Sequence, residues 1–225
     1  MKGLSKRPIQ SDIDEIIENI KPFFVRIKKS DLNLPPFTDH PIILNTMDSL
    51  ENEVYDQLES LLKNNNVEPA NAQSIHFRMI QVCNNLNLLN STLEANLEFG
   101  ELGVSEKSIA LEEILGPVLS SQVKAIDGSY VPSKHKLVRN IVDNLSSKGE
   151  KVIIWGYFID SIKKLHGYLK ASGLKGAYVI GETKKDKEGT LGNNESTREN
   201  IIESFKTSDL DYIISNPVVL GESIS

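Results

Sequence analysis

An α/β fold with an incomplete parallel sheet flanked by helices, and with an inserted, mainly helical region, is what this 225-residue sequence predicts. Three observations predict it. Short runs rich in β-branched and aromatic residues recur in the last third of the chain: Val152-Ile-Ile-Trp-Gly-Tyr-Phe158, Gly176-Ala-Tyr-Val-Ile180 and Tyr212-Ile-Ile-Ser215. Amphipathic stretches of helical period separate them, the pattern of consecutive βα units in a parallel sheet. Residues 47–62 and about 71–89, by contrast, carry helical periodicity.

From the N-terminus, Ser11-Asp-Ile-Asp-Glu-Ile-Ile-Glu-Asn-Ile20 predicts a short helix capped by Ser11, with Ile13, Ile16, Ile17 and Ile20 on one face. Residues 22–36 join an apolar segment to basic residues and a Pro-Pro stop, which suits a connector. Pro41-Ile-Ile-Leu-Asn-Thr46 predicts a strand. A helix over 47–62 follows, with apolar positions at 50, 54, 58, 61 and 62, then a polar break and a helix over about 71–89. An acidic, less regular region runs to about Tyr130, with 109–119 helical up to Gly116-Pro117.

Leu137, Val138, Ile141, Val142 and Leu145 make one stripe of a helix over 133–145 that opens the α/β part. The strand over 152–158 leads to a helix over 159–172 and the strand over 176–180. Residues 181–196 form a connection longer than most. Ser196 or Thr197 caps a helix ending near Phe205, and Tyr212–Ser215 is the last strand. Residues 211–225 then run into a polar turn, an uncommon place for a complete α/β domain to stop. Ligands gather at the carboxyl ends of parallel strands, so chemistry is expected after Ser215, and the chain is expected to break off at its functional edge.

Composition bounds the class. With 39% hydrophobic and 25% charged residues the chain is ordinary globular material. The apolar runs fall short of a bilayer span and the N-terminus lacks a signal-peptide core, which predicts a cytoplasmic protein with no membrane partner. A single cysteine, Cys83, makes no internal disulfide and reads as a buried structural residue. His40, His76, His135 and His166 fall at no metal-ligand spacing, so no metal site is expected. The net charge of −6 is unevenly spread: residues 131–187 hold 12 Lys/Arg against 5 Asp/Glu, a balance of +7, leaving −13 elsewhere. Such a basic block either neutralises phosphates locally or is a solvated lysine-rich surface.

Four segments, in order, resemble the Swi/Snf-type ATPases among the superfamily-two helicases. Residues 22–36, ending in Leu-Pro-Pro, are similar to the family's link between its two RecA-like lobes. Arg78-Met-Ile-Gln-Val-Cys-Asn-Asn-Leu-Asn-Leu-Leu89 resembles its Leu-Arg-x-x-Cys-Asn-His-Pro helix. Ser133-Lys-His-Lys-Leu, followed by Lys151-Val-Ile-Ile-Trp-Gly-Tyr-Phe-Ile-Asp160, resembles the opening of the second lobe and motif IV. Asn216-Pro-Val-Val-Leu-Gly-Glu-Ser-Ile-Ser225 resembles motif V in a Glu-Ser form associated with bacterial members.

The resemblance implies an interlobe connector over 1–40, a first strand and helical insertion over 41–130, and a helicase C-terminal RecA-like lobe over 131–225, truncated in motif V. It implies part of an ATP-dependent DNA translocase, whose second lobe contacts the nucleic-acid backbone and completes an ATP site. Its partners would be DNA, duplex DNA in preference to RNA, and an N-terminal RecA-like lobe. The contact residues it implies are Trp155, Gly156 and Tyr157; Gly181, Thr183 and Lys184; Arg198; and Asn216, Pro217, Gly221, Glu222 and Ser223. For several of these a plainer role stands beside the functional one. Trp155 also reads as a core aromatic, Glu222 as a solvent-facing turn residue, and Arg198 as structural.

The departures from the family are equally specific. No Gly-x-x-x-x-Gly-Lys-Ser/Thr loop is present to cradle phosphates, and no Asp-Glu-x-His supplies a magnesium-binding acid. The arginine-bearing motif VI would lie beyond Ser225. ATP and Mg²⁺ are therefore expected of the complete motor and not of this chain alone, which contains no catalytic residue of its own. Cys-Asn-His-Pro reads Cys-Asn-Asn-Leu here, and Ser223 replaces a motif V glycine. The alternatives are a non-catalytic RecA-like binding or scaffold module and, more distantly, an RNA helicase lobe.

Overall fold

The computed structural model describes residues 10–21, 38–63, 69–90, 111–183, 197–207 and 210–220. The chain divides into two compact units, residues 1–43 and 44–225. In the first, helix α1 (Gln10–Ile20) forms where the isoleucine period predicts it, yet Ile16, Ile17 and Ile20 are exposed. The predicted connector over 22–36 lies outside the described residues.

Residues 38–43 also belong to the first unit, and the second contains the described residues from Leu44 on. The strand predicted over 41–46 is absent: this stretch has no regular structure, with Ile42 and Leu44 exposed to 89% and 88%. A strand exists only by pairing, and the ladders among the described residues join three other segments. Asn45 instead donates to the Ser133 hydroxyl at 2.7 Å.

Helix α2 (Ser49–Lys63) starts with a capping box. The Asp48 carboxylate accepts from the Glu51 amide at 2.9 Å, and the Glu51 carboxylate accepts from the Asp48 amide at 3.0 Å. Helix α3 (Pro69–Val82) is shorter than the predicted 71–89, and a 3-10 helix (Leu86–Asn90) follows it. The asparagines explain the break. Asn84 donates to the Ile80 carbonyl and Asn85 accepts from the Asn87 amide, local bonds that compete with a continuing α-helix.

Helix α4 (Leu111–Lys124) is two helical segments joined by a kink, and the first ends at Gly116-Pro117 as predicted. Gly116 turns the chain with φ 71° and ψ 170°, and the helix restarts at Pro117, whose missing amide is harmless at a first helical position. Val54, Leu58, Ile75, Val82, Leu86, Ile114 and Val123 form the core of this helical module.

Helix α5 (Ser133–Ser146), strand β1 (Val152–Trp155), helix α6 (Ile159–Ala171), strand β2 (Gly176–Val179), helix α7 (Arg198–Lys206), strand β3 (Tyr212–Ser215) and helix α8 (Pro217–Leu220) complete the order. The sheet is parallel with order β1-β3-β2, and Trp155, Ser215 and Val179 share its last rung. The fold is thus α/β, with a small three-stranded parallel sheet flanked by helices.

Alternation along β3 divides the core. Tyr212 and Ile214 pack with Val142 of α5 and Ile162, Leu165 and Leu169 of α6. Ile213 packs on the opposite face with Ile201 and Phe205 of α7 and Leu220 of α8. β3 is buried on both faces, which is why it reads as an apolar run. The chain leaving β1 enters α6 on the first face and the chain leaving β3 enters α8 on the second. The chains leaving the adjacent strands β1 and β3 therefore diverge to opposite faces beyond their carboxyl ends, the arrangement that opens a crevice in such sheets. No helix among the described residues is long and apolar enough to cross a membrane.

Candidate functional site

At this divergence the loop 156–158 meets the turn 215–217. The Gly156 amide donates to the Ser215 carbonyl at 2.9 Å, continuing the ladder one step past β1. A Cβ on Gly156 would lie 2.8 Å from the Ile162 side chain, so the backbone approaches α6 more closely than other residues allow. Asn216 is almost fully buried and works in both directions. Its amide donates to the Tyr157 carbonyl at 3.4 Å, while its side-chain oxygen accepts from Val218 N and caps α8. Pro217 occupies the first position of that helix. The Ser215 hydroxyl donates to the Val179 carbonyl at 2.7 Å and so joins the β3 end to β2.

Phe158 precedes α6 and turns inward, where it packs edge to face on Phe77 of α3 with ring centroids 5.7 Å apart. Leu88 completes this contact between the helical module and the sheet. A cavity of about 90 Å³ lies beneath the loop, lined by Asn84, Lys134, His135, Ser161 and residues 154–158 among others. It has room for a few waters.

His135 is 2% exposed and faces Ser161 through Nε2 at 3.2 Å, while Nδ1 is buried without a hydrogen-bond partner. Burial, reinforced by the Lys164 and Lys134 charges, lowers its pKa to about 4, so the ring is neutral near pH 7. Lys164 stands 5.5 Å over the Tyr130 ring. Tyr130 donates to Asp48 and Glu51, and Glu51 also accepts from the Ser133 amide at 2.9 Å. Burial first, then these carboxylates, push the Tyr130 phenol well above its ordinary range. One buried carboxylate thus fastens the start of α5, beside the cavity, to the helical module.

The sequence-predicted residues fall into three places. Trp155, Gly156, Tyr157, Asn216 and Pro217 come together at the β1/β3 divergence. Gly181 and Thr183 lie past β2, on the far side of β3. Thr183 closes a turn there, its hydroxyl accepting from Ile180 N at 3.0 Å and its amide donating back to the Ile180 carbonyl. Arg198 is half-buried and donates to the Val219 carbonyl at 3.4 Å, joining α7 to α8. Lys184, Gly221, Glu222 and Ser223, with residues 184–196 of the long connection predicted over 181–196, lie outside the described residues. Of the two readings of Trp155, the side chain at 47% exposure is not a core aromatic.

Sequence reasoning missed Asn84, Lys134, His135 and Ser161 as cavity residues. Only tertiary packing assembles them, since they come from the turn after α3, the first turn of α5 and the first turn of α6. No cluster of three or more His, Cys, Asp or Glu side chains arranged to hold a metal occurs among the described residues. No protein-family model matches the chain, and no curated protein is significantly similar to it.

Proposed function

We propose that this chain is the RecA-like C-terminal portion of a Swi/Snf-type, ATP-dependent DNA translocase, and that the β1/β3 divergence is where it meets the nucleic-acid backbone. The observation that carries the reading is the juxtaposition there of two segments chosen separately for their sequence: the motif IV-like loop 155–157 and the motif V-like turn 216–217, joined by the bond from Asn216 to the Tyr157 carbonyl. Lys134, exposed in the first turn of α5, lines the same place and has no ion pair among the described residues. It belongs to the segment of the chain with a charge balance of +7.

ATP and Mg²⁺ do not fit this chain by itself. The sequence holds neither a phosphate loop nor an Asp-Glu-x-His motif, so a second, N-terminal RecA-like lobe would have to supply them. This chain is expected to bind DNA without hydrolysing ATP. That lack also favours a second reading, a non-catalytic RecA-like scaffold.

A salt titration of DNA binding separates the two. In the translocase reading affinity falls steeply with salt as phosphate contacts release counterions, and Lys134→Ala lowers the slope by about 1. Salt-insensitive binding, or no binding, leaves the scaffold. Strong preference for RNA would point to an RNA helicase lobe.

A further inference from the structure

Trp155 and Tyr157 are 47% and 69% exposed, although the loop that carries them is held from within at each step. The Gly156 amide is bonded to Ser215, the Tyr157 carbonyl to Asn216, and the Phe158 ring is buried against Phe77. Gly156 fits tightly against Ile162. A loop fixed in this way cannot turn its two outer rings into the core. Two large aromatic side chains two residues apart thus remain in water at the divergence of β1 and β3, and Lys134 lines the same cavity.

A phosphate can accept from the Tyr157 hydroxyl or the Trp155 indole N–H, but such bonds engage only the polar edge of each ring and leave its faces uncovered. An aromatic ring does find a partner in a nucleobase whose face is uncovered, and such stacking tolerates any sequence because every base has a π-face. In an intact duplex both faces of each base are already covered by neighbours. We infer that Trp155 and Tyr157 form a stacking platform for an unpaired base, so that this site takes single-stranded or locally unstacked DNA in preference to intact duplex. The inference rests on the nucleic-acid reading above and narrows its substrate class, against the duplex preference that the sequence resemblance implies. Lys134 would hold a phosphate of the same strand.

Trp155 is the only tryptophan in the chain, so its emission reports on the site without a label. The full chain is titrated with oligothymidylate and with a hairpin duplex of equal nucleotide count at low salt. Oligothymidylate is expected to quench Trp155 and to bind more tightly than the hairpin. Read by the anisotropy of a 5′-fluorescein on the oligonucleotide, since the variants lack the tryptophan, Trp155→Ala is expected to weaken that binding roughly 5- to 150-fold. Trp155→Phe should bind within a few-fold of the parent chain, and both variants should keep the parent salt slope because no phosphate contact has been removed.

Tight, salt-dependent binding of the duplex with unchanged Trp155 emission would overturn the platform while leaving the nucleic-acid reading in place. Unchanged oligothymidylate affinity in Trp155→Ala would do the same. Binding of neither nucleic acid removes the platform and that reading together, and makes the exposed rings a surface for a protein partner.

Discussion

Glu51 and His135 show how single side chains set this structure. The Glu51 carboxylate is buried and accepts from the Asp48 amide, the Tyr130 hydroxyl and the Ser133 amide. Removing it strands the Asp48 and Ser133 amides and leaves Tyr130 with Asp48 alone, so Glu51→Ala is expected to cost about 2–5 kcal/mol in denaturant unfolding. A cost below about 1 kcal/mol would mean that water replaces the carboxylate at no loss. His135 carries a pH signature. Its pKa lies near 4 in the folded chain against 6.5 for a free side chain, so the unfolded state binds the extra proton between these values. The stabilisation is complete above pH 6.5 and is lost as pH falls toward 4. The parent chain is expected to lose about 3 kcal/mol more than His135→Gln across this window. Parallel pH profiles of unfolding free energy for the two proteins would refute the shift.

Among elements, the contact between α3 and the loop before α6 matters most for the site. Phe77 and Phe158 are the rings through which the helical module supports residues 155–158. Phe77→Ala is expected to destabilise the chain by about 3–5 kcal/mol and to make Trp155 more accessible to acrylamide quenching. Leu58→Ala, buried in the helical core away from the loop, should lower stability by about 2–5 kcal/mol and leave quenching as it is. Equal quenching in both variants would show that Phe77 acts through global stability alone. Element boundaries were legible where one local signal governs them. Thr197 accepts from Asn200 N and starts α7 where the sequence puts a cap. Helix α8 had its own signal, Asn216 as cap and Pro217 at the first position, which the expectation of a polar turn passed over. The strand expected over 41–46 failed for a different reason: its apolar run meets the local requirement of a strand, but pairing is a property of the neighbour.

For the whole molecule, the sequence by itself determined the class of fold, because the period of the apolar residues decides which segments can bury a face. It determined β1, α6, β2, α7 and β3 in that order, and the runs of β-branched residues that a strand buried on both faces requires. It also carried the uneven charge that motivates the salt titration of DNA binding. Only the tertiary structure decided the sheet order β1-β3-β2, since register and neighbour come from which faces bury each other across the chain. It alone joined residues 155–157 to 216–217, placed Lys134 and His135 beside them, and left Trp155 and Tyr157 in water. Local sequence fixes what a residue can do; long-range packing fixes what it stands next to, and a site is made of neighbours.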